Sequence, residues 1–339
     1  MTEDTAGTRI IDDDALDRLR PLSFAVAYRM LGSVAEAEDV VQEALLKVAQ
    51  QADEPGGVRN PDAFVTTVTT RLSINVLRSA RARRETYVGP WLPEPLMDAT
   101  AVAHAAPAPD AAAHAELADD LSTAFLVVLE TLTPTERAAF LLHDVLGYPH
   151  GEAAEIIGTT AVSARQLASR ARRRIEAKRS EALGRTHARR DREEANRLVG
   201  RFLAAIEEGK VEAFVDVLAD DVVFTGDGGG NVPPGFAISK PMSGRERVAK
   251  LLTGFTRRGM SGLAYYVPED INGAPGLVIM ASDDLGGGVL GTLSFEIGTT
   301  ADGSARIAAA HGVVNPAKLG HLGRLADLDR IAAYVRGGR

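Results

Sequence analysis

Hydrophobic positions early in the chain recur at helical spacing. Val40, Val41, Ala44, Leu45 and Val48 share one face of a helix, which leaves Asp39, Gln42, Glu43 and Lys47 pointing outward. Leu31-Gly32 marks the end of the helix before it, and Ser33 with Glu36 three residues on forms a capping box. After the loop Asp53–Arg59, Asn60 caps a third helix whose first turn holds Pro61, where a missing N–H costs nothing. Phe64, Val68, Leu72 and Ile74 are its expected inward positions, and it runs out into a cluster of arginines.

Val88 to Ala113 breaks this pattern. It is rich in proline and alanine, poor in charge, and holds the single tryptophan, Trp91, so it reads as an extended linker. Helical spacing returns from Leu117 to Lys178. Thr133-Pro134-Thr135-Glu136 combines an N-cap, a first-turn proline and a capping-box glutamate. A short helix over His150 to Ile157, a turn at Gly158-Thr159 and a long basic helix from Thr160 predict a helix-turn-helix. Within that long helix, Leu167 is the expected core residue, while Ala161, Ala164 and Ala168 fill helix positions.

Beyond a charged connector the period changes again. Leu198, Phe202 and Ile206 mark a helix closed by Gly209, and Val211 to Leu218 a second. Short β-like runs follow at Val222–Thr225, Leu263–Val267, Leu277–Met280, Val289–Ile297 and Arg306–Val314, with a helix Arg247–Phe255 capped by Ser243 and Glu246 after the first. Two helices, a strand, a helix and then an antiparallel meander predict an α+β cone, a sheet wrapped around helices. The fold expected is multidomain: two all-α domains, the second a helix-turn-helix, and then the cone. The boundaries fall at 10–87, a linker at 88–113, 114–180, a connector at 181–193, 194–319 for the cone, and a helical tail at 320–339.

Composition narrows the chemistry. The 339 residues include no cysteine, which excludes disulfides, a thiol nucleophile and cysteine-ligated metal centres; no metal site and no cofactor are expected. No uncharged apolar run approaches the ~18 residues of a bilayer span. The N-terminus lacks a signal pattern, so the chain is expected to be cytoplasmic, with no membrane partner. Net charge is −8, yet Arg165 to Arg192 holds 11 Lys/Arg against 3 Asp/Glu, and Arg71 to Arg84 holds five Arg and no acid. Basic blocks on an acidic chain suit a protein that meets phosphate on chosen faces, although a solvated helix face gives the same pattern.

The motifs then resemble a family. Ala37-Glu-Asp-Val-Val-Gln-Glu-Ala44, Asn60-Pro-Asp-Ala-Phe64 and Arg71-Leu-Ser-Ile-Asn-Val-Leu-Arg78 look like region 2 of bacterial extracytoplasmic-function (ECF) sigma factors. Leu132-Thr-Pro-Thr-Glu-Arg137 through Ser169-Arg-Ala-Arg172 look like their region 4. The resemblance implies a protein that binds core RNA polymerase through its β′ clamp and β flap, recognises −35 and −10 promoter DNA, and starts transcription. It places Asp39, Gln42 and Glu43 on the clamp. It places the third helix on the −10 element, with Arg71, Arg78 and Arg81 as DNA contacts and Arg78 and Arg81 directed at phosphate. In the helix-turn-helix, Ser163, Arg165, Gln166, Ser169 and Arg170 fall where a recognition helix enters the major groove. Arg165, Gln166 and Ser169 match positions that contact the −35 element, and Arg173 lies further along, toward the backbone.

Arg84 to Pro95, Gly226-Asp-Gly-Gly-Gly230 and Asn315-Pro-Ala-Lys-Leu319 resemble the subgroup with a SnoaL-like (NTF2-like) C-terminal domain, the actinobacterial SigJ type. Asn231 and Ala317 depart from its motifs, which have a basic and an acidic residue there. These segments predict a regulatory contact in which Trp91, Leu92 and Pro93 meet Asp227, Gly228, Gly229, Asn315, Pro316, Lys318 and Leu319. A lone tryptophan in a linker needs a surface to cover it, and glycines let backbone approach. A small-molecule ligand of the cone is a further partner, and Asp227 and His311 are the residues available for acid–base work. Two rival readings stand beside the sigma factor, which itself is not an enzyme. One is a ligand-sensing one-component regulator. The other is a cyclase- or isomerase-like enzyme tethered to DNA.

Overall fold

Three helices open the described chain: α1 (Asp13–Leu31), α2 (Val34–Ala52) and α3 (Pro61–Arg84). The structure, a computed structural model, describes residues 13–55, 57–84, 87–97, 121–183, 192–256, 262–300 and 303–337. Gly32 ends α1 with a positive φ of 65°. The Ser33 hydroxyl then accepts the Glu36 N–H at 3.1 Å, and Asn60 accepts the Ala63 N–H at 3.1 Å to start α3. α2 buries Ala37, Val40, Val41, Ala44, Leu45 and Val48 and exposes Asp39, Gln42, Glu43 and Lys47, as the spacing requires.

α3 departs from its pattern. Its buried stripe is Val65, Thr66, Thr69, Thr70, Ser73, Ile74 and Leu77, while Phe64, Val68 and Leu72 are only half-buried. Three of the four hydroxyls in that stripe have partners, while the buried Thr70 hydroxyl has none among the described residues. Thr66 donates to the Asp62 carbonyl and Ser73 to the Thr69 carbonyl, each at 2.8 Å, and Thr69 meets Ser23 of α1 at 2.7 Å.

The second helical set comprises α4 (Thr123–Leu129), α5 (Pro134–Phe140) with a π-helical turn Leu141–Val145, α6 (His150–Ile157) and α7 (Ala161–Leu183). The Thr133–Glu136 capping box closes in both directions. Gly158, left-handed at φ 80°, makes the turn into α7. Ala164, Ala168, Ala171 and Ile175 form the buried row of α7, and Leu167 is half-buried. The small alanines, not the leucine, bring the helix close to its neighbours.

The rest is α+β. Helices α8 (Arg192–Glu208) and α9 (Val211–Val215) precede strand β1 (Leu218–Asp227) and the short β2 (Met242–Ser243). Helix α10 (Arg245–Phe255) is followed by β3 (Ala264–Ile271), β4 (Ala274–Ala281), β5 (Val289–Thr299) and β6 (Ala305–Val313), and α11 (Leu328–Gly337) closes the chain. Ser243 is paired with Val223 across β2–β1, so Gly244 takes the N-cap of α10. The sheet order is β2-β1-β6-β5-β4-β3; β3 to β6 are the antiparallel meander foreseen, but β1 runs parallel to β6. Phe202, Phe214, Val248 and Leu252 of the helices pack on Phe224, Leu277, Leu293, Phe295 and Ile307 of the sheet. Leu328, Ile331 and Val335 of α11 join a second cluster with Leu263, Leu285 and Leu290.

The described residues group into two compact units. One holds those of Met1–Arg83 and Leu129–Ile175; the other holds those of Arg84–Ala99, Leu121–Val128 and Glu176–Arg339.

Candidate functional site

In the helical unit, Asp39, Gln42 and Glu43 lie exposed along α2, with Glu43 in an i,i+4 pair with Lys47 at 3.3 Å. Leu46, one turn past Gln42, is 58% exposed and extends this row with an apolar residue. Sequence reasoning passed over it, because the spacing that marked the buried stripe gave no reason to weigh a leucine outside it.

On α7, Arg165, Gln166, Ser169, Arg170 and Arg173 are exposed and Ser163 is half-buried. Ser163 is engaged by the helix start: its N–H and hydroxyl both meet the Thr160 hydroxyl, at 3.2 and 2.9 Å. Arg170 and Arg174 reach back to the buried Glu136 at 3.2 and 2.6 Å, and Arg172 pairs with Asp144. Burial would raise the Glu136 pKa. The Thr133 N–H and hydroxyl, with Arg174 and Arg170, nevertheless hold it below the usual carboxylate range.

Arg71 is placed differently from Arg78. Its Nε donates to the Ile156 carbonyl and Nη2 to the Glu155 carbonyl, both at 2.9 Å, so it closes the C-terminal end of α6. Arg78 is exposed, and the side chain of Arg81 lies outside the described residues. A buried arginine missed by sequence reasoning, Arg137, donates to the Met30 carbonyl and to Glu130, each at 2.7 Å. Burial pushes its pKa down to about 9. Arg137 ties α5 to the end of α1, and Arg71 ties α3 to α6.

In the second unit, one carboxylate gathers the segment around Trp91. Asp227, at the end of β1, is fully buried. Its Oδ1 accepts the Tyr87 hydroxyl at 2.5 Å, and its Oδ2 accepts the Leu92 N–H at 2.8 Å and the Lys318 ammonium at 2.7 Å. Lys318 also donates to the Leu92 carbonyl and lies 4.2 Å from the Trp91 ring centroid and 5.0 Å from that of Tyr87. The Tyr87 hydroxyl accepts from the Asn315 amide at 2.9 Å. Burial, then the Asp227 hydrogen bond, raises the Tyr87 pKa far above its ordinary value, so the phenol stays neutral. Leu92 packs with Val289, Val313 and Leu319.

Pro93 and Pro95 are buried beside Leu92. Further on, Asn272 and Leu96 exchange two hydrogen bonds, and His321 meets the Pro95 carbonyl at 2.7 Å. Gly229, at φ 59°, leaves room that a Cβ would fill by striking the Asn315 amide. A Cβ on Gly228 would meet Val232 and Ala237 at 2.6 and 2.8 Å. Pro316 opens the short 3-10 turn that presents Lys318, and Asn231, where a basic residue was the motif's pattern, bonds Asn315 at 3.5 Å.

Asn272 and His321 were not anticipated, since nothing local distinguishes them. Tyr87 lies within the Arg84–Pro95 motif, but it was not singled out as one of the contact residues.

The core between helices and sheet holds a cavity of about 180 Å³, lined by Phe202, Ile206, Phe224, Leu252, Tyr266 and Leu293 among others. Neither Asp227 nor His311 lines it. His311 instead meets Glu296 at 2.6 Å across β6–β5. Among the described residues no helix is long and apolar enough to cross a membrane, and no group of His, Asp and Glu is placed to hold a metal ion.

The Sigma-70 region 2 family matches residues 15–83, and the Sigma-70 region 4 family matches residues 122–175. The ECF RNA polymerase sigma factor SigJ of Mycobacterium tuberculosis is 41% identical over 252 residues, spanning 73% of this chain and 74% of that protein. The chain belongs to the ECF RNA polymerase sigma factors. A probable ECF RNA polymerase sigma factor of the same species, SigI, is 33% identical over 196 residues, 57% of this chain and 62% of the relative. The crystal structure of the Mycobacterium tuberculosis SigJ protein superimposes with a TM-score of 0.65 at 32% identity, covering 91% of this chain and 98% of that one. As an ECF sigma factor it binds core RNA polymerase and promoter DNA, and its helical regions 2 and 4 are followed by the α+β, SnoaL-like cone.

Proposed function

We propose that this sigma factor meets the β′ clamp with Asp39, Gln42 and Glu43, and reads the −35 element with Arg165, Gln166 and Ser169. Its third helix serves the −10 element, with Arg78 on phosphate. An exposed acidic and amide row ending in Leu46 offers acceptors and one apolar anchor to a basic partner. Arg165 and Gln166 carry the donor patterns that suit guanine and adenine edges, whereas Ser163 and Arg170 already bond other residues of the chain, Thr160 and Glu136. Arg71 we assign to holding α6 in the helical unit. The C-terminal unit regulates the sigma factor by clasping the segment between regions 2 and 4. The observation that carries this reading is the buried Asp227, which holds Tyr87, Leu92 and Lys318 together. The enzyme rival finds no support in the cavity, which neither acid–base candidate reaches.

The test is holoenzyme assembly and promoter binding with purified core polymerase. Asp39→Arg combined with Gln42→Ala should keep its thermal midpoint and lose core binding. Arg165→Ala should lose about 1–3 kcal/mol at one −35 position while other sequences change little. Equal loss on every promoter removes the base-reading role.

A further inference from the structure

The cavity in the cone carries no charge. Its lining is aromatic and aliphatic, with threonine, glycine and Tyr266 as the remaining types, and no Asp, Glu, Lys, Arg or His contributes. The Thr256 hydroxyl is spent on the Thr253 carbonyl at 2.9 Å. The Tyr266 hydroxyl has no protein partner among the described residues, and burial pushes its pKa up to about 12, so it stays a neutral donor. A volume of 180 Å³ is a little larger than a cavity of about 150 Å³ that stays dry and takes benzene. The Thr292 hydroxyl likewise has no protein partner among the described residues, and an apolar chamber with two unspent hydroxyls has the make-up of a small-molecule site.

The chamber also adjoins the clasp. Gly226 and Gly312 are paired across β1–β6 and both line the cavity. The next pair, Asp227 and Val313, holds the Tyr87–Leu96 segment through the Asp227 carboxylate and the packing of Val313 on Leu92. Alternation along a strand therefore puts the cavity on one face and the clasp on the other. Ala237 gives a second link: it lines the cavity and abuts Gly228, in the turn whose Gly229 and Gly230 face Tyr87 and Val88.

We propose that the cavity is an effector site for a small uncharged molecule, mostly apolar, of about ten non-hydrogen atoms and with one hydrogen-bond acceptor for Tyr266. Its occupancy stabilises the docked state of the Tyr87–Leu96 segment. Filling the chamber gives the two strand ends and the Pro234–Ala237 loop a packed partner, so the ligand binds the docked arrangement better than the released one. That regulatory meaning rests on the clasp controlling the sigma factor; ligand binding itself does not.

The probe is 2-naphthol, excited beyond the tryptophan band, with the full-length protein. In water its excited state loses the proton, whereas in a dry site it emits from the neutral form. Wild-type protein should show saturable neutral-form emission, and the anion 2-naphthoate should bind at least tenfold more weakly. Tyr266→Phe should lower 2-naphthol affinity about fivefold, the scale of one neutral hydrogen bond, and leave naphthalene unaffected. Ile206→Trp, or Val335→Trp should the first fail to fold, should abolish binding by filling the chamber.

Hydrogen exchange of residues 87–97 should slow at least threefold with 2-naphthol. By reciprocity, Tyr87→Phe should weaken 2-naphthol binding. Absence of saturable binding, or binding untouched by a folded filling variant, overturns the site. Binding with unchanged exchange overturns the linkage. Failure of the regulatory reading would appear separately, as transcription indifferent to the clasp while 2-naphthol still binds.

Discussion

At the scale of single residues, Asp227 decides whether its surroundings tolerate burial. Two charges leave water here, and the desolvation cost is offset by their pairing and by the hydrogen bonds that Asp227 accepts from Tyr87 and Leu92 and that Lys318 donates to the Leu92 carbonyl. Tyr87 completes the set by donating to Asp227 and accepting from Asn315. Asp227→Asn keeps the shape but takes from the buried Lys318 the carboxylate it pairs with, so it should destabilise the second unit by about 3 kcal/mol. Tyr87→Phe removes one neutral donor and should cost about 1–2 kcal/mol. Denaturant unfolding of both variants checks the order; equal losses would mean that the charge pair is not the costly element.

At the scale of elements, the α5–α7 contact depends on one carboxylate. Glu136 caps α5 while accepting Arg170 and Arg174 of α7. Its folded-state pKa is depressed, so its contribution is fully present above the unfolded value, about 4.3, and is lost as pH falls through the folded value. Acid titration of thermal stability should show this loss in wild-type protein and a flatter profile in Glu136→Gln.

Elements governed by local chemistry were legible in the sequence. The Thr133–Glu136 box, the Asn60 cap, Gly158 and the α2 stripe are set within one or two turns of chain. The stripe of α3 was not legible, because Thr66, Thr69 and Ser73 count as polar until the hydroxyls of Thr66 and Ser73 are seen bonded to the helix itself and that of Thr69 to Ser23 of α1. The parallel pairing of β1 with β6 was equally out of reach, since no local signal reports a partner so far along the chain. The site divides the same way. Exposure of Asp39 and Arg165 followed from helical spacing, whereas the engagement of Arg71 by α6 depends on tertiary placement.

At the scale of the molecule, the segment between regions 2 and 4 is part of the C-terminal unit's structure. Leu92 is buried against Val313 and Leu319, and Leu96 bonds Asn272. A chain cut after Glu193 loses all of these partners. Its Trp91 emission should shift to the red, and the segment should become a preferred site of limited proteolysis; an unchanged emission maximum would show that Trp91 is covered by something else. The position of Lys318 has a consequence for how the protein is made. Synthesis delivers the N-terminal regions first, and Lys318 follows Leu96 by about 220 residues, roughly 10–45 s at ordinary elongation rates. From the completion of region 4 at Ile175 until Lys318 is made, the nascent chain has both promoter-reading regions but no Asp227–Lys318 pair to receive the segment. Each new molecule therefore begins unclasped, and only the last part of translation closes it.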